Sequence, residues 1–242
     1  KIKISVLSQL KTVLLWVIVV LVLYLTYYYF FRDTSVADLV GMHNARVAQV
    51  IAPEKLPGGA GTLDFTFSIW VYVNNWNYSY GKRKMILRRT NVKNEVCPQV
   101  SLAATTNDLE ILLSTYSGSE ASSSNEASCG VKNIPLQKWV HILMTTQNRT
   151  LDVYIDGKLV KTCMLGGVAK MDPTAPLQLC PEGGFSGFTS KLRYYARSVN
   201  PREAYEIYRE GFSDSWGGEA ANRYKVKLAF FKDNNEVNSF SL

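Results

Sequence analysis

Two carboxylates in this sequence have a spacing that could support acid–base chemistry. Asp108 and Glu110 are two positions apart, so on a β-strand their side chains would share one face. Carboxylate pairs roughly 5–5.5 Å or 6.5–9.5 Å apart can cleave glycosidic bonds with retention or inversion. This pair, however, follows Thr106-Asn107 at the edge of an expected strand, where a solvated turn explains it better. We therefore predict no catalytic residue and no enzymatic activity.

The two histidines do not belong to a metal-ligand cluster. His43 stands alone, and His141 lies in an apolar segment two residues after Trp139, as expected of a semi-buried structural residue. No group of Cys and His residues has the spacing of a zinc site. A calcium site needs about 6–8 oxygen ligands, and the loop acids of suitable type are Asp64, Asp108, Asp172 and Glu182. We assign no metal and no cofactor, and calcium stays open as an alternative without assigned ligands.

Three aromatic residues occur together in the segment "NNWNYSYGKRK" (74–84): Trp76, Tyr78 and Tyr80. Exposed aromatic rings can stack on a sugar face, and Trp and Tyr are also enriched at protein interfaces. We predict that these residues bind a glycan or a protein partner; the alternative is a loop that packs on its own sheet. Asn77 and Asn148 begin Asn-x-Ser/Thr sequences in expected loops and are candidate glycosylation sites.

Four cysteines, an even number, follow an apolar N-terminal run: Cys97, Cys129, Cys163 and Cys180. Two disulfides would suit an oxidising compartment, and four cysteines allow three pairings. We favour the pairing of nearest neighbours in sequence, Cys97 with Cys129 and Cys163 with Cys180. Four buried free thiols are the alternative.

The apolar run extends from Thr12 to Phe31 without a charged residue. At ~1.5 Å per residue, a helix of this length spans roughly 30 Å, the thickness of a bilayer's hydrocarbon core. Lys1, Lys3 and Lys11 precede the run and Arg32 follows it, which predicts an N-terminus on the cytoplasmic or interior side. We therefore predict a single-pass membrane protein with the lipid bilayer as a partner; a buried core helix and a cleaved signal peptide are the alternatives.

The net charge of +7 comes largely from the flanks of that run, and no Lys/Arg cluster interleaved with aromatics follows. The main domain is therefore not expected to bind nucleic acid. Its apolar residues alternate with a period of two, which indicates strands. The strands are expected at 65–73, 84–89, 100–104, 109–116, 139–146, 151–155, 158–163, 176–180 and 189–195.

Turn and cap residues complete this pattern. Asp156-Gly157 predicts a tight hairpin, and Asn200 followed by Pro201 predicts the start of one short helix that ends near Gly211. The serine-rich stretch 117–130 is expected to be a long exposed loop. The resulting domains are a basic flank and transmembrane helix (1–32, with the helix at 12–31), a stalk (33–62), a β-domain (63–211) and a C-terminal docking tail (212–242) with two possible strands.

Three segments resemble the concanavalin A-like lectin/glucanase superfamily, especially its laminin-G-like branch. They are "FTFSIWVYV" (65–73), "KWVHILMTTQNRTLDVYIDGKLV" (138–160) and "GGFSGFTSKLRYYARSVNPREAYEIYREG" (183–211). The resemblance implies an all-β fold, a two-sheet antiparallel jelly-roll sandwich with one short C-terminal helix. Glycanases of this superfamily carry a Glu-x-Asp-x(-x)-Glu pattern, and no Glu here is followed by Asp two residues later.

The combination of an N-terminal apolar helix, this domain and the tail "RYKVKLAFFKDNNEVNSFSL" (223–242) resembles membrane-anchored concanavalin A-like proteins of large algal DNA viruses. That resemblance implies a minor capsid protein that links an internal membrane to neighbouring capsid proteins of the virion. Our first hypothesis is therefore a membrane-anchored structural protein. The second is a membrane-anchored lectin that binds glycans, and the third is a glycanase, which the missing carboxylate pattern disfavours.

Overall fold

The computed structural model describes residues 2–31, 35–57, 63–117, 120–213, 227–232 and 235–241. The chain divides into two compact units, Lys1–Thr34 and Ser35–Leu242. The first unit contains helix α1 (Ile2–Phe31), and the second contains every described strand and helix α2 (Pro201–Arg209).

Helix α1 contains the run that was predicted to cross a membrane. Within the described residues, however, no helix is both long and apolar enough to do so. The prediction of a single-pass membrane protein, and the localisation that followed from it, is therefore wrong; the bilayer as a partner is not shown.

Thirteen strands of the second unit form two antiparallel sheets, as the resemblance implied. In chain order they are β1 (Val36–Val40), β2 (His43–Asn44), β3 (Gln49–Ile51), β4 (Thr66–Asn75), β5 (Lys84–Thr90), β6 (Val96–Leu102), β7 (Leu109–Ser117), β8 (Glu120–Val131), β9 (Trp139–Gln147), β10 (Thr150–Ile155), β11 (Lys158–Met164), β12 (Leu177–Leu179) and β13 (Ser186–Tyr195). The first sheet has the order β1-β13-β4-β9-β10-β11, with β2 also paired to β13. The second has the order β3-β12-β5-β6-β7-β8.

The core lies between these two sheets and follows the period-two alternation. Phe65, Phe67, Ile69, Val71 and Val73 all belong to the main buried cluster, as predicted for one face of this segment. Residues of β6, β7 and β12 face them from the second sheet. At about 25 cal/mol per Å² of buried apolar surface, this shared core is the main source of stability.

Helix α2 packs on the outer face of the first sheet. Asn200 caps it, its side chain accepting a hydrogen bond from the Glu203 N–H at 2.9 Å, as predicted. Ala204 and Ile207 are buried in a second apolar cluster with Leu143 of β9. The helix therefore covers sheet surface that would otherwise expose apolar side chains.

Two segments differ from the sequence prediction. The expected stalk contains β1, β2 and β3, which pair with β13 or β12 in the two sheets. The expected serine-rich loop contains β8, which pairs with β7 from Leu109↔Val131 to Ser117↔Glu120. Backbone pairing with a neighbouring strand satisfies the hydrogen-bonding groups of both segments. Both also contribute to the core, because Ile51 of β3 and Cys129 of β8 are buried in the main cluster.

The C-terminal tail forms a separate antiparallel pair, β14 (Lys227–Lys232) and β15 (Asn235–Ser241). The pairing agrees with the two strands expected from the sequence. Residues 233–234 of the expected turn lie outside the described residues, and so do Tyr224 and Val226. That the tail docks on another protein stays a prediction.

One disulfide is present, between Cys129 of β8 and Cys163 of β11, with Cα atoms 6.0 Å apart. Cys97 and Cys180 are buried free thiols, and burial raises their pKa values to about 11 and about 12. The predicted pairings, Cys97–Cys129 and Cys163–Cys180, are therefore wrong. The bonded cysteines lie on strands that end the two sheets, and proximity across the sandwich decided the pairing rather than proximity in sequence.

Candidate functional site

The three aromatic residues predicted to bind a partner lie between β4 and β5, but two of their rings already face a cation. The Lys84 ammonium lies 4.1 Å from the centroid of the Trp76 ring, and Trp76 packs against the core. The Arg46 guanidinium lies 4.7 Å from the centroid of the Tyr78 ring. Tyr80 is 60% exposed. Partner binding by this loop stays a prediction, and only Tyr80 presents a largely exposed ring.

The carboxylates considered for acid–base chemistry have separate structural partners. Asp108 accepts hydrogen bonds from the Asn133 N–H at 2.9 Å and from the Thr106 hydroxyl at 3.0 Å, and these lower its pKa. Glu110 lies 3.1 Å from Arg83 Nε. Asp108 thus stabilises a turn, as the sequence indicated, rather than facing a substrate together with Glu110.

His141 is buried below helix α2. Its Nε2 lies 2.8 Å from the Ser68 hydroxyl, and its ring centroid lies 5.1 Å from that of Trp70. Burial, with a smaller effect of Arg193, lowers the pKa of His141 to about 3. The imidazole is therefore neutral at physiological pH, and its contacts are those of a residue that stabilises the fold.

The predicted glycosylation sites are exposed turn residues. Asn77 follows β4, and Asn148 lies in the turn between β9 and β10. Both residues are exposed, as glycosylation requires, and their modification stays a prediction.

Over the described ranges, no three His, Cys, Asp or Glu side chains come together in a group that could hold a metal ion.

A pocket of about 360 Å³, here called the Tyr116 pocket, combines an exposed aromatic ring with acids, an amide and amines. Its lining residues are Asn91, Val92, Lys93, Glu95, Cys97, Tyr116, Lys170, Met171, Asp172 and Pro173. Tyr116 is 39% exposed and lies at the end of β7, and Lys170 Nζ lies 5.2 Å from its ring centroid, farther than the cations at Trp76 and Tyr78. Aromatic rings stack on the apolar faces of sugars, and carboxylates, amides and amines bind their hydroxyls. The pocket therefore has the composition of a glycan site.

The backbone positions the two halves of this pocket. The segment 168–170 runs beside the end of β7, because the Tyr116 N–H donates to the Val168 carbonyl at 2.9 Å and the Lys170 N–H to the Ser114 carbonyl at 2.8 Å. Gly167 permits this approach, since a Cβ there would lie 1.7 Å from the Tyr116 carbonyl oxygen. Tyr116 and Lys170 are thus brought together from distant parts of the sequence.

A buried ion pair organises the polar side of the pocket. Lys170 Nζ lies 2.8 Å from Glu95 Oε1, and the Asn91 amide donates to Glu95 Oε2 at 2.6 Å. The Asn91 side-chain oxygen also accepts from the backbone N–H groups of Lys93 and Glu95, which shapes the β5–β6 turn. These contacts hold the carboxylate and amide in place before any ligand arrives.

Sequence reasoning missed this pocket for an identifiable reason. The turn at 91–95 and the end of strand β7 each carry a recognisable local pattern. Their meeting with Lys170 depends on the long-range pairing of Thr115 with Ala169. No local pattern reports that pairing.

No curated protein sequence matches this chain. Solved structures with a similar fold include the ligand binding domain of botulinum neurotoxin serotype D in complex with N-acetylneuraminic acid, with 10% identity and a TM-score of 0.53 over 72% of this chain and 41% of that chain. The receptor binding domain of botulinum neurotoxin mosaic serotype C/D has 10% identity and a TM-score of 0.52 over 69% and 41%. At this identity the likeness shows the fold alone.

The serotype G binding domain of botulinum neurotoxin is also similar, with 14% identity and a TM-score of 0.50 over 74% of this chain and 49% of that chain. This chain thus spans less than half of each of these three binding domains. None of the comparisons shows the viral capsid association, which stays a prediction.

The family model of the concanavalin A-like lectin/glucanases superfamily, in its laminin-G type, matches residues 48–204. Because this match covers more than half of the sequence and the two-sheet fold agrees with it, the chain belongs to the concanavalin A-like lectin/glucanase superfamily.

Proposed function

We propose that this chain is a glycan-binding module and that the Tyr116 pocket contacts the sugar. The observation that carries the proposal is the half-exposed Tyr116 ring beside the preorganised Glu95–Lys170 pair. Preorganised polar groups lose little conformational entropy when a ligand binds, so they favour affinity. Membership of the superfamily agrees with this role, and one fold neighbour was solved in complex with N-acetylneuraminic acid.

The proposal is binding without catalysis. A glycosidase needs a general acid whose pKa is raised so that the carboxyl is protonated near neutral pH. The Asp172 carboxyl at the pocket has a lowered pKa instead, chiefly because it accepts a hydrogen bond from the Thr174 hydroxyl at 2.6 Å. Glu95 is held by Lys170 and Asn91. These acids suit hydroxyl recognition better than proton donation.

A glycan array probed with the full chain tests this proposal. We expect binding to at least one glycan class, and Tyr116→Ala should weaken it about tenfold, the effect of losing a contact worth ~1.4 kcal/mol. Tyr116→Phe keeps the ring and should retain most of the binding. Tyr80→Ala is the matched control, because Tyr80 is exposed but lies outside the pocket.

Two results would overturn the proposal. A blank array for the full chain would remove the glycan-binding function. A loss of binding in Tyr80→Ala with unchanged binding in Tyr116→Ala would place the glycan at the β4–β5 loop instead. Circular dichroism of each variant confirms that the sheets are intact.

A further inference from the structure

A second pocket, here called the Arg89 pocket, lies next to the Tyr116 pocket and shares Met171 and Pro173 with it. It also has a volume of about 360 Å³, and its lining residues are Pro53, Glu54, Leu56, Pro57, Arg89, Met171, Pro173, Thr174 and Tyr194. Arg89 comes from β5, lines this pocket and is 2% exposed, so a cationic side chain is almost completely buried against it.

The described hydrogen bonds of Arg89 go to uncharged acceptors. Its Nε donates to the Ala175 carbonyl at 2.9 Å, and its Nη1 donates to Met171 Sδ at 2.7 Å. Among the described residues, no carboxylate forms a salt bridge with Arg89 and no acceptor bonds its Nη2. The guanidinium therefore retains donors that a ligand can use.

The nearby charges do not neutralise this buried cation. Burial is the main effect on the pKa of Arg89 and lowers it, while Tyr194, Cys97 and Asp172 oppose the shift. Of those three, Asp172 is the one that is ionised at neutral pH, and its carboxylate already accepts from Thr174. An unpaired charge in the protein interior is costly, so an anion placed against Arg89 would be bound favourably.

The walls of the pocket narrow the class of anion. Three prolines, Leu56, Met171 and Tyr194 make them largely apolar, which suits the carbon face of a ring. The exposed Glu54 carboxylate also lines the pocket and disfavours a ligand with two or more negative charges. A planar carboxylate matches the fork of the guanidinium.

We propose that the Arg89 pocket is a subsite for the carboxylate of an acidic sugar whose neighbouring residue occupies the Tyr116 pocket. This inference rests on the proposed glycan-binding function and specifies its ligand class. The shared residues Met171 and Pro173 place the two subsites side by side, as two linked sugar rings require.

Calorimetric titration of the full chain with sodium glucuronate, glucose and sodium sulfate tests the subsite. We expect glucuronate to bind at least tenfold more tightly than glucose or sulfate. Arg89→Met should abolish that preference, and Arg89→Lys should reduce it, because an ammonium keeps the charge but loses the fork. Arg88→Met is the matched control, since Arg88 pairs with Glu182 and Gln178 outside the pocket and should keep the preference.

The outcomes separate this inference from the proposed function. Equal binding of glucuronate and glucose, or an unchanged preference in Arg89→Met, overturns the carboxylate subsite while array binding through Tyr116 still stands. Tight sulfate binding overturns it in favour of a general anion site. If no glycan binds on the array, glucuronate binding that needs Arg89 is an isolated carboxylate site, which overturns the linked site and the proposed function together. A thermal melt of Arg89→Met, expected at or above the wild-type Tm because a buried charge is removed, excludes misfolding.

Discussion

At the scale of single residues, the buried His141 makes the stability of this protein depend on pH. Its pKa is about 3 in the folded chain and ~6.5 in an unfolded one, so the unfolded state binds the additional proton between these values. The free energy of unfolding therefore falls as pH decreases from ~6.5 towards 3, by up to about 1.4 kcal/mol per pH unit. Urea unfolding across this range should show that His141→Gln has a shallower dependence than the wild type.

The control for this prediction is the other histidine. His43 is half-exposed and its Nε2 lies 2.7 Å from the Val47 carbonyl at the surface. His43→Gln should retain the wild-type slope. Because the readout is a slope, a uniform loss of stability in His141→Gln does not obscure it; identical slopes in wild type and His141→Gln would contradict the prediction.

The residue scale also shows what the sequence could reveal about the candidate site. The spacing of Trp76, Tyr78 and Tyr80 indicated aromatic exposure, yet cations from Lys84 and Arg46 lie over two of these rings. Arg89 looked like one residue of an ordinary strand. Its burial without a carboxylate partner among the described residues depends on packing between segments far apart in sequence, and a one-dimensional pattern does not contain that packing.

At the scale of elements, helix α2 rests on the β10–β11 hairpin, and Gly157 is the point of closest approach. Gly157 has φ +72°, and a Cβ added there would lie 3.0 Å from Tyr208 Cβ and 3.1 Å from a Tyr205 ring carbon. Gly157→Ala should therefore cost about 1–2 kcal/mol of unfolding free energy through the left-handed backbone alone, and more if the helix shifts. Urea denaturation measures this cost.

Gly166 provides the matched control. It is exposed, and a Cβ added there would meet no atom within 4 Å. Gly166→Ala should stay within about 0.5 kcal/mol of the wild type, as is usual for surface substitutions. Equal effects of the two substitutions would contradict the backbone strain and the crowding expected at Gly157.

Strand prediction succeeded where core-facing apolar residues recur at every second position of the sequence, and it failed where that recurrence is short or interrupted. The β4 alternation from Phe65 to Val73 was predicted because one face is buried in the core. Strand β8 was missed because its first half is serine-rich, although Ala127, Cys129 and Val131 alternate towards the core near its end. Edge strands carry fewer buried side chains, so their sequence signal is weaker.

At the scale of the whole molecule, the Cys129–Cys163 disulfide joins β8 to β11, the strands that end the two sheets. The family resemblance was sufficient to predict two sheets, but it did not predict which strands would meet across the sandwich. That meeting depends on the order of strands within each sheet. Distance along the sequence therefore did not predict which cysteines pair, because the fold of the two sheets decides which cysteines are close in space.

The disulfide should contribute measurably to global stability because it closes a long loop. For a sequence separation of 34 residues, the chain-entropy model gives about 3–4 kcal/mol. Reductant should lower the urea midpoint of the wild type accordingly and leave the Cys129→Ala/Cys163→Ala double variant unchanged. Alkylation of the denatured, unreduced chain should modify Cys97 and Cys180 alone, because these are the free thiols. Recovery of Cys97 or Cys180 in a disulfide-linked peptide would contradict the Cys129–Cys163 pairing. A reductant effect that persists in the double variant would show that the change in stability has another origin.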